Sequence, residues 1–148
     1  MISETQGGFL ISQIKQVGGR LFEKLLVNAG IDAFNGAQGR ILYVLWQGDD
    51  VPIREISKKT GLAKTTLTSM LDRMESANLV VRELGRSDKR QIRVSLTSEA
   101  RKLSDEYNKV SREMSGFYYT GFSDDEIIAF ENTLRRVLRN LNEKEREL

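Results

Sequence analysis

The chain has 148 residues, 39% hydrophobic and 30% charged, with 23 Lys/Arg against 21 Asp/Glu for a formal net charge of +2; this suits one compact domain or two small modules sharing a core. Cysteine and histidine are both absent, so there is no disulfide framework, no thiolate nucleophile and no Cys- or His-ligated metal site, and the commonest general base is missing. The longest uninterrupted apolar run, Ile41 to Trp46, is far short of the roughly 20 residues of a membrane span.

Residues 1 to 8 carry Glu4 and no basic residue, unlike the cationic start of a secretory signal, and a cytoplasmic protein is expected. From Phe9 to Leu26, Leu10, Ile14, Val17, Leu21 and Leu25 recur at steps of four and three, one face of a helix that Gly30 can terminate. Asn35 can cap a second helix with Gln38 closing a capping box, its apolar face including Ala37, Ile41, Leu42 and Leu45. Pro52, the only proline, has no N–H to give, so Val51 to Ile53 reads as a short edge strand.

A short helix over about Arg54 to Thr60 then ends at Gly61, which can take the left-handed conformation of a tight helix–helix turn. The next helix, about Lys64 to Ala77, buries Leu67, Met70, Leu71 and Met74 and turns Lys64, Thr65, Thr68, Ser69 and Arg73 elsewhere; Asn78 can end it. The period then switches from 3.6 to 2 in Leu79 to Leu84 and Gln91 to Leu96, a hairpin whose polar tip is Gly85 to Arg90. Thr97 caps a helix with Ala100, Leu103, Tyr107, Val110, Met114 and Phe117 in unbroken steps of three and four. After Gly121, Ser123 and Glu126 form a capping box for a last helix presenting Ile127, Phe130, Leu134, Val137 and Leu141. These last two stripes are expected to be core within and between chains.

Charge is concentrated in the middle: residues 51 to 95 hold ten Lys/Arg against five Asp/Glu, the footprint of a nucleic-acid-binding module on a separate scaffold. Helix, glycine turn, longer helix, then hairpin is the order of a winged helix-turn-helix. The fold class is thus mainly α: a winged lobe of three helices and a two- to three-stranded hairpin, flanked by N- and C-terminal helices. In such a lobe the second helix fits the major groove, where the short hydroxyls of Thr65, Thr66, Thr68 and Ser69 permit close approach. Arg73 can reach a base edge or a backbone oxygen. Arg86, Lys89 and Arg90 can enter the adjacent minor groove or grip its phosphates. Arg54, Lys58 and Lys59 fit a solvated face, with Lys58 and Lys59 in reach of phosphate.

Over roughly residues 35 to 100 the chain resembles the multiple antibiotic resistance regulator (MarR) family of bacterial transcription factors. Asp88-Lys89-Arg90 is similar to that family's Asp-x-Arg wing motif, Leu96-Thr97 to its Leu-Thr before the next helix, and Gly61 to Thr68 through Asp72 to Glu75 to its recognition helix. Ala63 departs from the usual capping residue, and Asn78 and Ala100 stand where glycine is common. The resemblance implies a single MarR-like domain, 1–148, with a winged lobe at 35–97 and helical dimerisation regions at 5–32 and 98–148. It implies a homodimeric regulator, a repressor released by a small aromatic or amphipathic effector, on a pseudo-palindromic site in double-stranded DNA. The DNA-contacting residues would be Lys64, Thr65, Thr66, Thr68, Ser69 and Arg73 on the helix. On the wing they would be Arg86, Ser87, Lys89 and Arg90, with Asp88 orienting the arginine. Leu10, Ile14, Val17, Leu134, Val137 and Leu141 would pair the chains, and Phe22, Tyr43, Trp46 and Tyr118 would line the effector pocket.

No cofactor, metal site or membrane partner is expected, although a carboxylate-bound ion is left open. The sequence has no phosphate-binding glycine loop, dinucleotide fingerprint or nucleophile elbow, and an enzyme is not expected. Two rivals stand beside the regulator: a winged module for protein or RNA contact, and a small-molecule-binding dimer without specific DNA recognition.

Overall fold

The computed structural model describes residues 2–148. In chain order the elements are α1 (Gly7–Asn28), α2 (Gly36–Gln47), β1 (Val51–Pro52), α3 (Ile53–Thr60), α4 (Lys64–Ser76), β2 (Val80–Leu84), β3 (Ile92–Leu96), α5 (Ser98–Arg101), α6 (Ser104–Tyr118) and α7 (Asp124–Glu147). The chain divides into two compact units, Met1–Arg112 and Glu113–Leu148. Among the described residues, no helix is long and apolar enough to cross a membrane.

The first unit is built on local signals that the backbone obeys. Asn35 caps α2, its Oδ1 accepting from the Gln38 N–H at 2.8 Å while Gln38 Oε1 accepts from the Asn35 N–H at 3.1 Å. Glu23 of α1 accepts from the Gly36 N–H at 2.6 Å and ties the two helices at this corner. The αL turn between α3 and α4 is made at Gly61 (φ 76°). Side chains satisfy the adjoining peptide: Ser57 Oγ donates to the Leu62 carbonyl at 2.6 Å, and Thr60 Oγ1 accepts from the Leu62 N–H at 3.2 Å.

The antiparallel sheet has the order β1-β3-β2. Pro52 lies on the two-residue outer strand, opposite Arg93, where its missing N–H breaks no interior ladder. In the hairpin Val80 pairs with Leu96, Arg82 with Val94 and Leu84 with Ile92. Val80 and Val94 complete a core of Ile41, Leu42, Leu45, Ile56, Leu67, Leu71 and Met74. α4 buries Leu67, Met70, Leu71 and Met74, the face its spacing predicts, and Asn78 beyond it takes φ 61°.

Above this core an aromatic cluster is centred on Tyr107 of α6. Its ring lies 5.3 Å from Trp46, 5.8 Å from Phe22, 5.9 Å from Phe34 and 6.1 Å from Tyr43, centroid to centroid. Gly39 admits it: a Cβ there would stand 2.6 Å from Tyr107 Cε1. The Trp46 indole N–H donates to the Ala100 carbonyl at 3.0 Å.

The helix expected to run unbroken from Thr97 through Phe117 is interrupted. α5 ends at Arg101, and the Lys102 and Leu103 N–H groups reach back three residues, to Glu99 at 3.3 Å and Ala100 at 3.2 Å. The Ala100 carbonyl serves both the Leu103 N–H and the Trp46 indole, which explains the tightened turn. At the end of the stripe Phe117 is 52% exposed.

α1 and α7 leave apolar surface uncovered. In α1 the C-terminal half is buried at Phe22, Leu25 and Leu26 while Leu10, Ile14 and Val17 are about half exposed. In the second unit α7 has the Ser123–Glu126 capping box and no buried residue, with Phe130, Leu134, Val137, Leu138 and Leu141 all exposed.

Replacing Gly39 by alanine should destabilise the protein by up to about 2 kcal/mol in urea unfolding, because overpacking a filled core costs about 1–3 kcal/mol against the roughly 1 kcal/mol that a helical Gly-to-Ala change contributes. Stabilisation instead would mean that Tyr107 has room to move.

Candidate nucleic-acid interface

α4 is the second helix of the α3–Gly61–α4 unit, and its outer face carries the residues picked out by sequence. Lys64, Thr65, Thr66, Ser69 and Arg73 are exposed, and Thr68 is half-buried. The Thr68 hydroxyl donates to the Lys64 carbonyl one turn back at 2.9 Å; its lone pairs remain for a donor. Ala63, at the N-cap, supplies no side-chain acceptor, which leaves the first-turn N–H groups of α4 directed outward.

The wing tip is shaped by its own polar groups. The Gly85 N–H donates to the Gln91 carbonyl at 2.8 Å and the Gln91 N–H to the Asp88 carbonyl at 3.1 Å. Gly85 is forced by space, since a Cβ there would meet the Asp88 carbonyl oxygen at 2.6 Å. Asp88 Oδ1 accepts from both the Arg90 N–H at 3.0 Å and the Arg90 Nε–H at 3.2 Å. One carboxylate thus fixes the backbone and aims the guanidinium, while the Arg90 side chain is 93% exposed. Those bonds from Arg90, side chain first and backbone second, hold the Asp88 carboxyl below its ordinary range. Arg86 and Lys89 are also exposed, and Ser87 sits between them in the loop.

Three features of this region carry no signal in the linear pattern. Arg82 of β2 bridges to α4, its Nη2 lying 2.6 Å from Asp72 Oδ1 and 3.0 Å from Glu75 Oε1, while the Arg82 N–H donates to Glu75 Oε2 at 2.9 Å. The hydrogen bonds from the Arg82 backbone and side chain hold Glu75 low. This strap fixes the angle of the wing against α4, and it closes across seven residues of sequence. On the far side, Asp49 joins the loop before β1 to β3 and α5. Burial alone would raise its carboxyl, but the Leu96 N–H at 2.9 Å and Arg101 at 2.8 Å bring it below the usual range. Arg93 likewise bonds Asp50 and Gln91. Finally, a cavity of about 390 Å³ between α3, α4 and the wing is lined by Arg54, Lys64, Asp88 and Arg90.

The proposed effector-pocket residues are placed unevenly. Phe22 lines a cavity of about 510 Å³ with Lys15, Arg20 and Arg40. Tyr43 lines another of about 420 Å³ with Arg40, Lys59 and Tyr107; burial pushes the Tyr107 phenol up, so it stays neutral near pH 7. Trp46 lines neither cavity, because its ring packs edge-on to Phe34 and its N–H is committed to Ala100. Tyr118 belongs to the Glu113–Leu148 unit, where it lies against Tyr119.

A three-helix core, a recognition helix with short hydroxyls and a cationic hairpin define a winged helix-turn-helix DNA-binding protein. The MarR family model matches residues 34–92. A helix-turn-helix transcriptional regulator of Bacillus subtilis (strain 168), YsmB, is 31% identical over 100 residues, covering 68% of each chain. Among solved structures, a Cys-to-Ser mutant of MarR from E. coli complexed with operator DNA is 26% identical with a TM-score of 0.78, covering 88% of this chain and 92% of that one. Overoxidized AbfR bound to DNA is 28% identical with a TM-score of 0.71, covering 93% of each chain. The chain belongs to the MarR family of DNA-binding transcriptional regulators.

The two carboxylate links have a defined pH dependence. Both carboxyls are depressed in the folded state, so their contribution is complete above the ordinary carboxylate range and is lost as pH falls through the lowered values. Amide-proton shifts of Arg82 and Arg90, the partners of Glu75 and Asp88, should therefore stay constant through the ordinary carboxylate range and move only below it. Movement centred in the ordinary carboxylate range, about pH 4 to 4.5, would show that neither carboxylate holds its partner.

Proposed function

We propose that this protein is a homodimeric, effector-responsive repressor that reads a pseudo-palindromic operator, with no catalytic activity and a cytoplasmic location. In this reading residues 35–97 form the DNA-binding lobe, and residues 5–32 and 98–148 pair the two chains. The observation that carries it is the Arg82 strap, which holds the hydroxyl-rich face of α4 and the Arg90-bearing wing in one rigid frame. Such a frame suits adjacent major and minor grooves. Lys64, Thr65, Thr66, Thr68, Ser69 and Arg73 act in the major groove. Arg86, Ser87, Lys89 and Arg90 act at the wing, with Asp88 as the orienting group.

Pairing of chains is supported by apolar surface that a lone chain leaves in water: Leu10, Ile14 and Val17 on α1 and Leu134, Val137 and Leu141 on α7. An effector is supported by the cavities beside Phe22 and Tyr43, each with an aromatic wall and cations at its edge. A change in the spacing between the two recognition helices would couple effector to DNA.

Fluorescence anisotropy on duplex DNA from upstream of the coding region should show tighter binding than to a scrambled duplex, with log K falling steeply in log salt. Arg90→Ala should weaken operator binding on the order of tenfold; equal affinity for both duplexes would overturn the operator reading, and an unaffected variant the role of the wing. Leu134→Asp combined with Val137→Asp should abolish the dimer in analytical ultracentrifugation, whereas a persistent dimer would place the interface elsewhere.

A further inference from the structure

The cavity between α3, α4 and the wing holds a cation, Arg54, that belongs to neither the recognition-helix residues nor the wing residues. Three cations from three separate elements meet there: Arg54 in the first turn of α3, Lys64 at the first residue of α4, and Arg90 at the wing tip. One carboxylate, Asp88, shares the cavity, and it is engaged by the Arg90 backbone and side chain. Among the described residues, Arg54 and Lys64 form no salt bridge. The concavity therefore carries more positive than negative charge, with Arg54 and Lys64 outside any salt bridge among the described residues. Arg54 also bears electrostatically on Asp88 and helps to keep that carboxyl low, which places the guanidinium in the same field as the wing motif. Pro52 and Ile92 form apolar walls.

The geometry of a duplex says what belongs in such a space. If α4 occupies the major groove and the wing the neighbouring minor groove, the sugar–phosphate strand that separates the grooves must cross between them. That strand brings one negative charge per nucleotide and an apolar deoxyribose edge.

We propose that this cavity is a seat for a single backbone phosphodiester, with Arg54 as its dedicated cation. The inference rests on the DNA-binding reading above and adds a residue and a role to it. Arg54 positions the duplex without reading sequence: it clamps the strand between the two grooves, Lys64 closes the seat from the helix side, and Arg90 passes beyond it. Pro52 and Ile92 take the sugar. Arg54 lies on α3, outside the helix whose outer face carries the hydroxyls.

The test compares wild type, Arg54→Gln and Arg54→Lys on the upstream duplex and on its scrambled counterpart, across a salt series. Arg54 is exposed, so circular dichroism melting should be alike in all three. Arg54→Gln should lose affinity on the order of tenfold on both duplexes alike, and its slope of log K against log salt should fall by about 0.9 for each phosphate contact removed. Arg54→Lys should restore most of the slope, because charge is what the seat supplies. In upstream duplexes carrying single methylphosphonate linkages, wild type should show one sensitive linkage per half-site to which Arg54→Gln is indifferent. An unchanged slope in Arg54→Gln, or a loss confined to the upstream duplex, would overturn the phosphate seat while leaving the regulator intact. Wild type that binds neither duplex in a salt-dependent way would overturn both.

Discussion

The packing of Tyr107 over Gly39 is the constraint on which the first unit depends. One ring from α6 fills a space that exists because α2 has no Cβ at that point, and four other aromatic rings arrange themselves around it. Trp46, in that cluster, donates its N–H to Ala100 and pins the start of the C-terminal helical region to the winged lobe. The broken helix at Lys102 follows from the same bond, since a carbonyl drawn toward an indole serves the regular ladder less well. Packing, helix geometry and the attachment of the lobe are thus consequences of one small residue facing a large one.

A second level of organisation is polar and governs orientation. The core holds α3, α4 and the sheet together, but apolar contact is non-directional and would tolerate small rotations of the hairpin. Arg82 removes that freedom by holding two carboxylates of α4 with its side chain and one of them again with its backbone. Individually such partly exposed ion pairs add little stability. Their value is geometric, because one Nη2 shared by two carboxylates and a backbone N–H held by the same Glu75 leave the wing little freedom to turn. At the tip, Asp88 repeats this on a smaller scale, with one carboxylate spanning the backbone and side chain of Arg90.

In the proposed function, DNA recognition is divided between groups that read and groups that hold. Hydroxyls and Arg73 on α4 face outward from a rigid helix, while the cations of the wing and of the cavity at Arg54 supply charge on either side of where a strand would run. The uncovered apolar faces on α1 and α7 are the surfaces proposed to pair the chains. The polar frame of the lobe involves none of them, so in that proposal DNA contact and assembly use different kinds of surface.

Much of this was legible in the chain of residues because local physics determined it. The 3.6 and 2.0 periods placed the helices and the hairpin, Asn35 and Ser123 announced their caps, Gly61 and Asn78 marked left-handed turns, and Pro52 marked an edge strand. The Asp88–Arg90 pair was readable because its partners are two residues apart. What sequence left undecided was whatever depends on partners far apart in the chain. The Thr97–Phe117 stripe read as one helix because its break is imposed by Trp46, more than fifty residues away. Trp46 read as a pocket residue because an aromatic side chain looks the same in a core and beside a cavity. Arg54 fits a solvated lysine-and-arginine face and Arg82 belongs to no pattern in the sequence, because a charged residue takes its meaning from the charges around it. Periodicity and caps are set by neighbours in sequence, so the sequence determined them alone; burial, strapping and the convergence of charge are set by neighbours in space, and only the tertiary structure decided those.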